Sequence, residues 1–168
     1  RKVGDKEADR IMNQASTIGT EMHQVLEYAY NGQGYFNASD QGKQPRMMAK
    51  VILNNLNIDE VWGNEVSLEY QNKFAGTTDL VALAYGKPSI IDFKQSNRPK
   101  KEEWVEDYKL QLGAYYLAHK ANYGPIEQGV ISICTRDLQY QEFKLSEPDL
   151  AEYSDKFLER VDQFNKLQ

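Results

Sequence analysis

Gly76-Thr77-Thr78-Asp79, then Ser89-Ile90-Ile91-Asp92-Phe93-Lys94, then Gln111-Leu112-Gly113-Ala114-Tyr115, follow one another within forty residues or so of Phe74. The middle piece decides the reading. Its apolar Ile91 and Phe93 alternate with the charged Asp92 and Lys94, and alternation with period two is a strand signal. On a strand, Asp92 and Lys94 share one sheet face while Ile91 and Phe93 turn to the other and fill a core. Phe74–Tyr85 reads as a preceding strand, joined by the turn Gly86-Lys87-Pro88, and Glu65–Tyr70 as a strand before that, joined by Gln71-Asn72-Lys73. A turn centred near Gly86-Lys87 pairs residues whose numbers add to roughly 172–173. Asp79 then faces Phe93, close to Asp92 and Lys94. The turn near Asn72 sets Asp79 opposite Glu65.

Outward from these strands the pattern is helical. Asp5–Ser16 reads as a short helix ended by Gly19, and Thr20 as the N-cap of a second, Glu21–Tyr30, whose apolar stripe is Met22, Leu26, Ala29 and Tyr30. His23 and Glu27, four apart, share a row of that helix, which suits an ordinary surface contact as well as a ligand pair. Asn31–Lys43 is rich in Gly, Asn and Gln and reads as a long loop. Its Tyr35 and Phe36 suit either base stacking or packing onto the core. Pro45 opens a third helix to Leu56. Downstream, Glu102–Asn122 is the longest predicted helix, Gln128–Thr135 and Gln139–Leu145 form a hairpin around Asp137-Leu138, and Ser146 with Asp149 caps a final helix reaching Leu167. The order α, α, α, β, β, β, α, β, β, α contains no repeat and no linker. It predicts one α/β domain over residues 1–168, with a mixed sheet of about five strands flanked by helices.

Composition sets the outer limits. With 168 residues the chain buries enough surface for a core without staples, and its one cysteine, Cys134, excludes a disulfide framework or a Cys-rich metal site. The expected compartment is therefore reducing and intracellular. No apolar run reaches membrane-span length. The start, Arg1-Lys2-Val3-Gly4-Asp5, has neither an initiator Met nor a signal-peptide pattern, so a short N-terminal segment is expected ahead of it. A net charge of −5 argues against passive coating of nucleic acid and leaves room for an acidic site neutralised by metal.

Two or three carboxylates at the spacing of Glu65, Asp79 and Asp92 repel one another unless a cation lies between them, and an oxygen-rich set suits Mg²⁺ or Mn²⁺. Such ions polarise a phosphoryl oxygen and activate water, and a lysine two residues past a carboxylate can orient that water or neutralise phosphate. The plain alternative is an ion pair between Lys94 and Asp79 or Asp92 at a strand end. His119 reads as structural, and Trp62 and Trp104 as packing residues.

Taken together, Gly76-Thr77-Thr78-Asp79, Asp92-Phe93-Lys94 and Gln111…Tyr115, preceded by Gly19-Thr20-Glu21-Met22-His23, resemble the RecB-like branch of the PD-(D/E)xK nuclease superfamily. Within it they resemble the small phage and mitochondrial genome-maintenance exonucleases, which share a Lys/Pro-rich loop like Arg98-Pro99-Lys100-Lys101. The resemblance runs from about residue 1 to 135. It implies a restriction-endonuclease-like core and a metal-dependent exonuclease acting on DNA, with single strands or free ends preferred. An endonuclease of the same superfamily and a non-catalytic nucleic-acid binding module are the alternatives. By the same resemblance, one or two Mg²⁺ or Mn²⁺ ions would be held by Asp79, Asp92, the Phe93 carbonyl and His23, with Glu65 a weaker candidate. Lys94 would position the attacking water, and Gln111 and Tyr115 would orient it. Thr20, Ser96, Arg98, Lys100 and Lys101 would contact nucleic acid. Gln95 departs from the Thr these relatives often carry, which leaves the ligands intact and bears on a phosphate or loop contact. The implied setting is a host cytoplasm for a phage protein or a mitochondrial matrix for a eukaryotic one.

Overall fold

A computed structural model describes residues 4–34 and 39–167. Four helices and five strands follow in the order α1 (Asp5–Tyr30), α2 (Asp40–Asn55), β1 (Ile58–Tyr70), β2 (Phe74–Ala84), β3 (Lys87–Ser96), α3 (Glu106–Asn122), β4 (Gln128–Thr135), β5 (Tyr140–Ser146) and α4 (Glu147–Lys166). The strands lie side by side in chain order as one sheet. β3 and β4 run parallel, joined by α3, and the remaining neighbours are antiparallel. The sheet is thus mixed and helix-flanked, as the sequence predicts. Every residue of β4 is buried, because both of its faces are covered.

Alternation along the strands splits the core in two. Leu80, Ile91, Phe93 and Val130 face Met22 and Leu26 of α1 and Met48 and Ile52 of α2. Val81, Ile90, Ile131 and Ile133 face Leu112 and Tyr116 of α3 and Leu150 of α4. This places Phe93 in one core and leaves Asp92 and Lys94 directed at α3.

Several boundaries differ from the sequence reading. α1 is one helix of 26 residues, unbroken at Gly19, so Thr20 is an exposed mid-helix residue and not a cap. An interior glycine costs about 1 kcal/mol. Burial of Ile18, Met22 and Leu26 is worth roughly 1.5–3 kcal/mol for each side chain and outweighs it. α2 begins at Asp40, capped by the Ser39 side chain accepting from the Gly42 N–H at 3.2 Å, and Pro45 sits inside it instead of opening it. The long loop is correspondingly shorter, and Tyr35 and Phe36 lie outside the described residues. β1 starts at Ile58, because two register shifts before Gly63 hide its alternation. α3 is shorter than expected, with a 3₁₀ turn at Glu102–Trp104 ahead of it, and α1 is the longest helix. Trp62 and Trp104 are about half exposed (49% and 52%) and do not pack in the core.

The β2–β3 turn is centred one step earlier than predicted. Tyr85 and Gly86 both take positive φ (51° and 75°), the pattern of a two-residue hairpin turn. The register is therefore Ala84↔Lys87 through Leu80↔Ile91, and one more step sets Asp79 across from Asp92 instead of Phe93.

Candidate active site

The β2–β3 ladder stops at Leu80↔Ile91, while β3 continues to Ser96 against β4. Phe93 is left with its N–H and C=O turned toward β2 and no backbone partner there. Buried backbone groups must be paired. The Asp79 carboxylate accepts the Phe93 N–H (Oδ2, 2.8 Å), and the His23 ring meets the Phe93 carbonyl (Nε2, 2.8 Å). Asp79 and His23 also meet each other at 3.4 Å. A break in strand pairing thus gathers a carboxylate from β2, a carbonyl from β3 and an imidazole from α1 at one point.

The helix itself sets the histidine. Its Nδ1 lies 2.8 Å from the Gly19 carbonyl, one turn back along α1. Both ring nitrogens thus face carbonyl oxygens, an arrangement that favours the doubly protonated ring. Burial alone would depress the imidazolium, but the hydrogen bond and charge of Asp79 outweigh it, and the pKa rises to about 9.

On the α3 side, Asp92 is buried at 3% exposure, in hydrogen-bond contact with Asp79. Lys94 Nζ lies 3.0 Å from Asp92 Oδ2, yet that oxygen has no well-directed hydrogen bond. The environments drive the two carboxyls apart. Burial pushes Asp92 up, the Lys94 ammonium opposes the rise, and Asp79 adds to it. Burial pushes Asp79 up as well, but His23, Asp92 and the Phe93 N–H together bring it below its ordinary value. Burial lowers the pKa of Lys94, and the Asp92 and Asp79 charges more than offset it, so that it is raised and the ammonium is favoured. Lys94 donates to Gln111 Oε1 (3.0 Å), and Gln111 donates to the Tyr115 hydroxyl (2.9 Å). Gly76 leaves room for that ring, since a Cβ there would come within 2.9 Å of Tyr115 Cε1.

Asp79, Asp92, Phe93, Lys94, His23, Gln111 and Tyr115 are therefore one connected group. Glu65 is brought near it without joining its hydrogen bonds. The pairs on either side, Asn64↔Leu80 and Val66↔Thr78, set it across from Asp79. Its backbone takes a φ of 51°, and partial burial, Asp79 and Glu27 raise its carboxyl above the ordinary value. One neighbour, Tyr108, was not singled out by sequence, whereas Glu27 was noted there as a partner for His23. Tyr108, whose ring centroid is 4.9 Å from Lys94 Nζ, is three residues before Gln111 and so shares its helix face. Glu27, one turn after His23, adds charge at Glu65.

Residues 38–167 match the sequence model of the PD-(D/E)XK nuclease superfamily. The chain belongs to that superfamily. Among solved structures, a "putative exonuclease" from Eubacterium rectale is similar in fold, with a TM-score of 0.58 at 12% identity over 87% of this chain. This PD-(D/E)XK chain spans 64% of the length of that structure. A structure of SSO0001 overlaps 86% of the chain and 73% of its own at 18% identity, with a TM-score of 0.38, too low to add to the argument. No curated protein matches the sequence.

PD-(D/E)XK nucleases generally use divalent metal ions, and the donors present fit one by kind. Two carboxylates, a carbonyl oxygen and an imidazole suit a hard or borderline cation, and the under-bonded Asp92 Oδ2 lies among them. Among the described residues no three His, Cys, Asp or Glu side chains already form a coordination group. The donors are engaged with one another, and one of them is a backbone carbonyl.

Of the residues expected to contact nucleic acid, Thr20 is on α1, Ser96 ends β3, and Arg98, Lys100 and Lys101 follow in the loop after it. The Ser96 hydroxyl is buried and donates to the Arg98 carbonyl at 2.6 Å, holding the loop. Gln141 clamps the loop at Lys100 through two backbone bonds of 2.6 and 2.9 Å. Arg98 and Lys101 are exposed, and Lys101 Nζ stands 5.2 Å from the centroid of the exposed Trp104 ring. Gln95 ties β3 to α1 by donating to the Ala15 carbonyl at 3.3 Å. Among the described residues no helix is long and apolar enough to cross a membrane.

Proposed function

We propose that this nuclease-superfamily chain is a metal-dependent deoxyribonuclease of the RecB-like branch, hydrolysing phosphodiester bonds as an exonuclease on single-stranded DNA or free ends. The observation that carries the reading is the Asp79–Asp92 pair, Asp92 buried and Asp79 partly so, with the Phe93 carbonyl and His23 on one side and a lysine held as ammonium on the other. An ion pair alone needs neither the second carboxylate nor the histidine, and two carboxyls in contact, one of them buried, need a proton or a cation between them.

Asp79, Asp92, the Phe93 carbonyl and His23 would hold Mg²⁺ or Mn²⁺, one or two ions, with Glu65 at the rim. When bound, such an ion supplies Lewis acidity toward a phosphoryl oxygen and an attacking water. Lys94 has three N–H bonds; Gln111 takes one and Asp92 lies against another, which leaves the third for the water or a phosphate oxygen. As an ammonium it orients and neutralises; it does not abstract the proton. Gln111 and Tyr115 keep Lys94 in that direction. Thr20, Ser96, Arg98, Lys100 and Lys101 line or support the path of the strand. The exposed cations among them contact phosphates, so binding weakens as salt rises.

The test is incubation with 5′- and 3′-labelled linear single strands and with circular single strands, with and without Mg²⁺. The reading expects Mg²⁺-dependent shortening of the linear strands and intact circles. Cut circles would make the protein an endonuclease, and binding without cleavage under any divalent ion would make it a non-catalytic module.

A further inference from the structure

Trp104 is part of neither core, yet its backbone is fixed. Its N–H donates to the Lys101 carbonyl at 3.0 Å, the Val105 N–H donates to the Glu102 carbonyl at 3.2 Å, and the Val105 side chain is wholly buried. The loop ahead of this 3₁₀ turn is pinned as well, at Arg98 by the Ser96 hydroxyl and at Lys100 by Gln141. A turn anchored on both sides thus holds the indole outward, about half exposed (52%). A single exposed aromatic is ordinary on a protein surface. What sets this one apart is the place where the turn holds it. The ring lines a groove of about 490 Å³ together with Ala15 of α1 and with Gln95, Ser96, Arg98 and Lys100. That groove lies at the end of β3, whose pairing with β2 stops at Ile91 and whose freed Phe93 peptide meets Asp79 and His23. Trp104 also stands four residues before Tyr108, whose ring centroid is 4.9 Å from Lys94 Nζ, and one helical turn rises about 5.4 Å. The indole is therefore at the start of the helix that Lys94 faces.

The charges around the ring suit a polyanion. Arg98 and Lys101 are exposed, and Lys101 Nζ is 5.2 Å from the Trp104 ring centroid. Of the two carboxylates in the turn, Glu102 is engaged by Lys109 at 3.1 Å, which leaves Glu103 against Arg98, Lys100 and Lys101. An aromatic face beside a cationic groove is what single strands stack on, because every base has a π face, whereas the bases inside a duplex already stack on each other. We propose that Trp104 is a stacking platform for an unpaired base of the strand being cut, and that this contact makes the site favour single strands over duplex. The inference rests on the nuclease reading for its ligand, and on the fixed, outward indole for its place. Trp62 supplies the comparison: it is exposed to the same degree (49%) but lies beside Pro88, at the other end of β3.

The test compares oligo(dT) with a strand of equal length that keeps every phosphate and carries abasic sugars, in EDTA so that binding is read without cleavage. The chain has two tryptophans, so Trp62→Phe leaves Trp104 as the sole indole reporter. Oligo(dT) should quench its emission, and the abasic strand should not. By fluorescence anisotropy with 3′-labelled strands, the wild type should bind oligo(dT) about tenfold more tightly than the abasic strand, the scale of one stacked base. Trp104→Ala should lose most of that preference, Trp104→Phe should keep part of it, and Trp62→Ala should keep all of it. The log–log salt slope should stay the same in Trp104→Ala and fall by about 0.7 in Lys101→Ala, the share of one phosphate on a single strand. Affinity for a blunt duplex should not change in Trp104→Ala. An indole that oligo(dT) leaves unquenched would overturn the platform, and so would a Trp104→Ala variant that keeps the wild-type preference or loses duplex and single strand alike. Mg²⁺-dependent cleavage by the wild type alongside that result leaves the nuclease reading standing. Quenching and base-dependent binding without cleavage under any divalent ion leave the platform standing and remove the nuclease.

Discussion

Replacing Asp92 with Asn should stabilise the metal-free protein while removing its response to metal. Asp92 is buried against a second carboxylate; burial raises its pKa, Lys94 restrains the rise and Asp79 adds to it, from 3.8 to about 7. An acid whose folded pKa lies above its unfolded value binds more protons folded than unfolded, so stability falls as pH rises through that window. At pH 8 the full penalty applies. Three units at about 1.36 kcal/mol each set an upper bound near 4 kcal/mol, and relaxation around the charge brings the expected gain for the Asn variant to about 2 kcal/mol. For a chain of this size that is a rise in Tm of about 4–8 °C. In the opposite direction, a divalent ion at a hundredfold excess over its Kd stabilises by about 2.7 kcal/mol. Thermal melts at pH 5 and pH 8, in EDTA and in Mg²⁺, read all of this at once. The wild type in EDTA should melt lower at pH 8 than at pH 5, the Asn variant should lose the share of that difference due to Asp92 and keep the share due to the raised His23, and only the wild type should be raised strongly by Mg²⁺. An Asn variant less stable than wild type at pH 8 in EDTA, or raised by Mg²⁺ as much as wild type, would refute the reasoning.

Other consequences follow from the same contacts. His23 keeps its proton up to about pH 9, because Asp79 outweighs burial, so binding a metal at Nε2 near pH 7.5 must expel it. Mg²⁺ binding should release a proton, tighten as pH rises toward 9 and lose the release in His23→Asn, measured by calorimetry in buffers of different ionisation enthalpy. Lys94→Ala should lower cleavage by about 10²–10⁴-fold while metal still raises the melting point at pH 8, and Lys94→Arg should not restore the rate, because a planar fork cannot replace a compact ammonium. Gly76→Ala places a methyl 2.9 Å from the Tyr115 ring and should cut activity about tenfold through the Gln111 chain, at a stability cost of about 1 kcal/mol in a urea melt.

The β3 strand was legible because its apolar and charged residues alternate without a break, and alternation alone put Ile91 and Phe93 toward a core and Asp92 and Lys94 on the opposite face. β1 was half legible, since its register shifts before Gly63 cancel the alternation on which such reading depends. The β2–β3 register came out one step off because the turn sits on Tyr85, and a tyrosine with positive φ is a conformation that tertiary structure imposes and composition does not advertise. Gly19 looked like a helix end, and only the buried side chains on either side of it show why the helix continues. In the site, the carboxylates and lysine were visible as residue types in order. The bonds from both His23 nitrogens to backbone carbonyls, and the pairing break that frees the Phe93 peptide, are long-range geometry that local pattern does not carry.

Asp79, Asp92, the Phe93 carbonyl and His23 are proposed to converge on a divalent ion. Crystals soaked in Mn²⁺ and measured at its absorption edge test it most directly. An anomalous peak bonded to both carboxylates and the Phe93 oxygen is expected, with His23 Nε2 turned from that oxygen to the ion. A peak elsewhere, or Asp79 and His23 still bonded to the Phe93 peptide at saturating Mn²⁺, would contradict it.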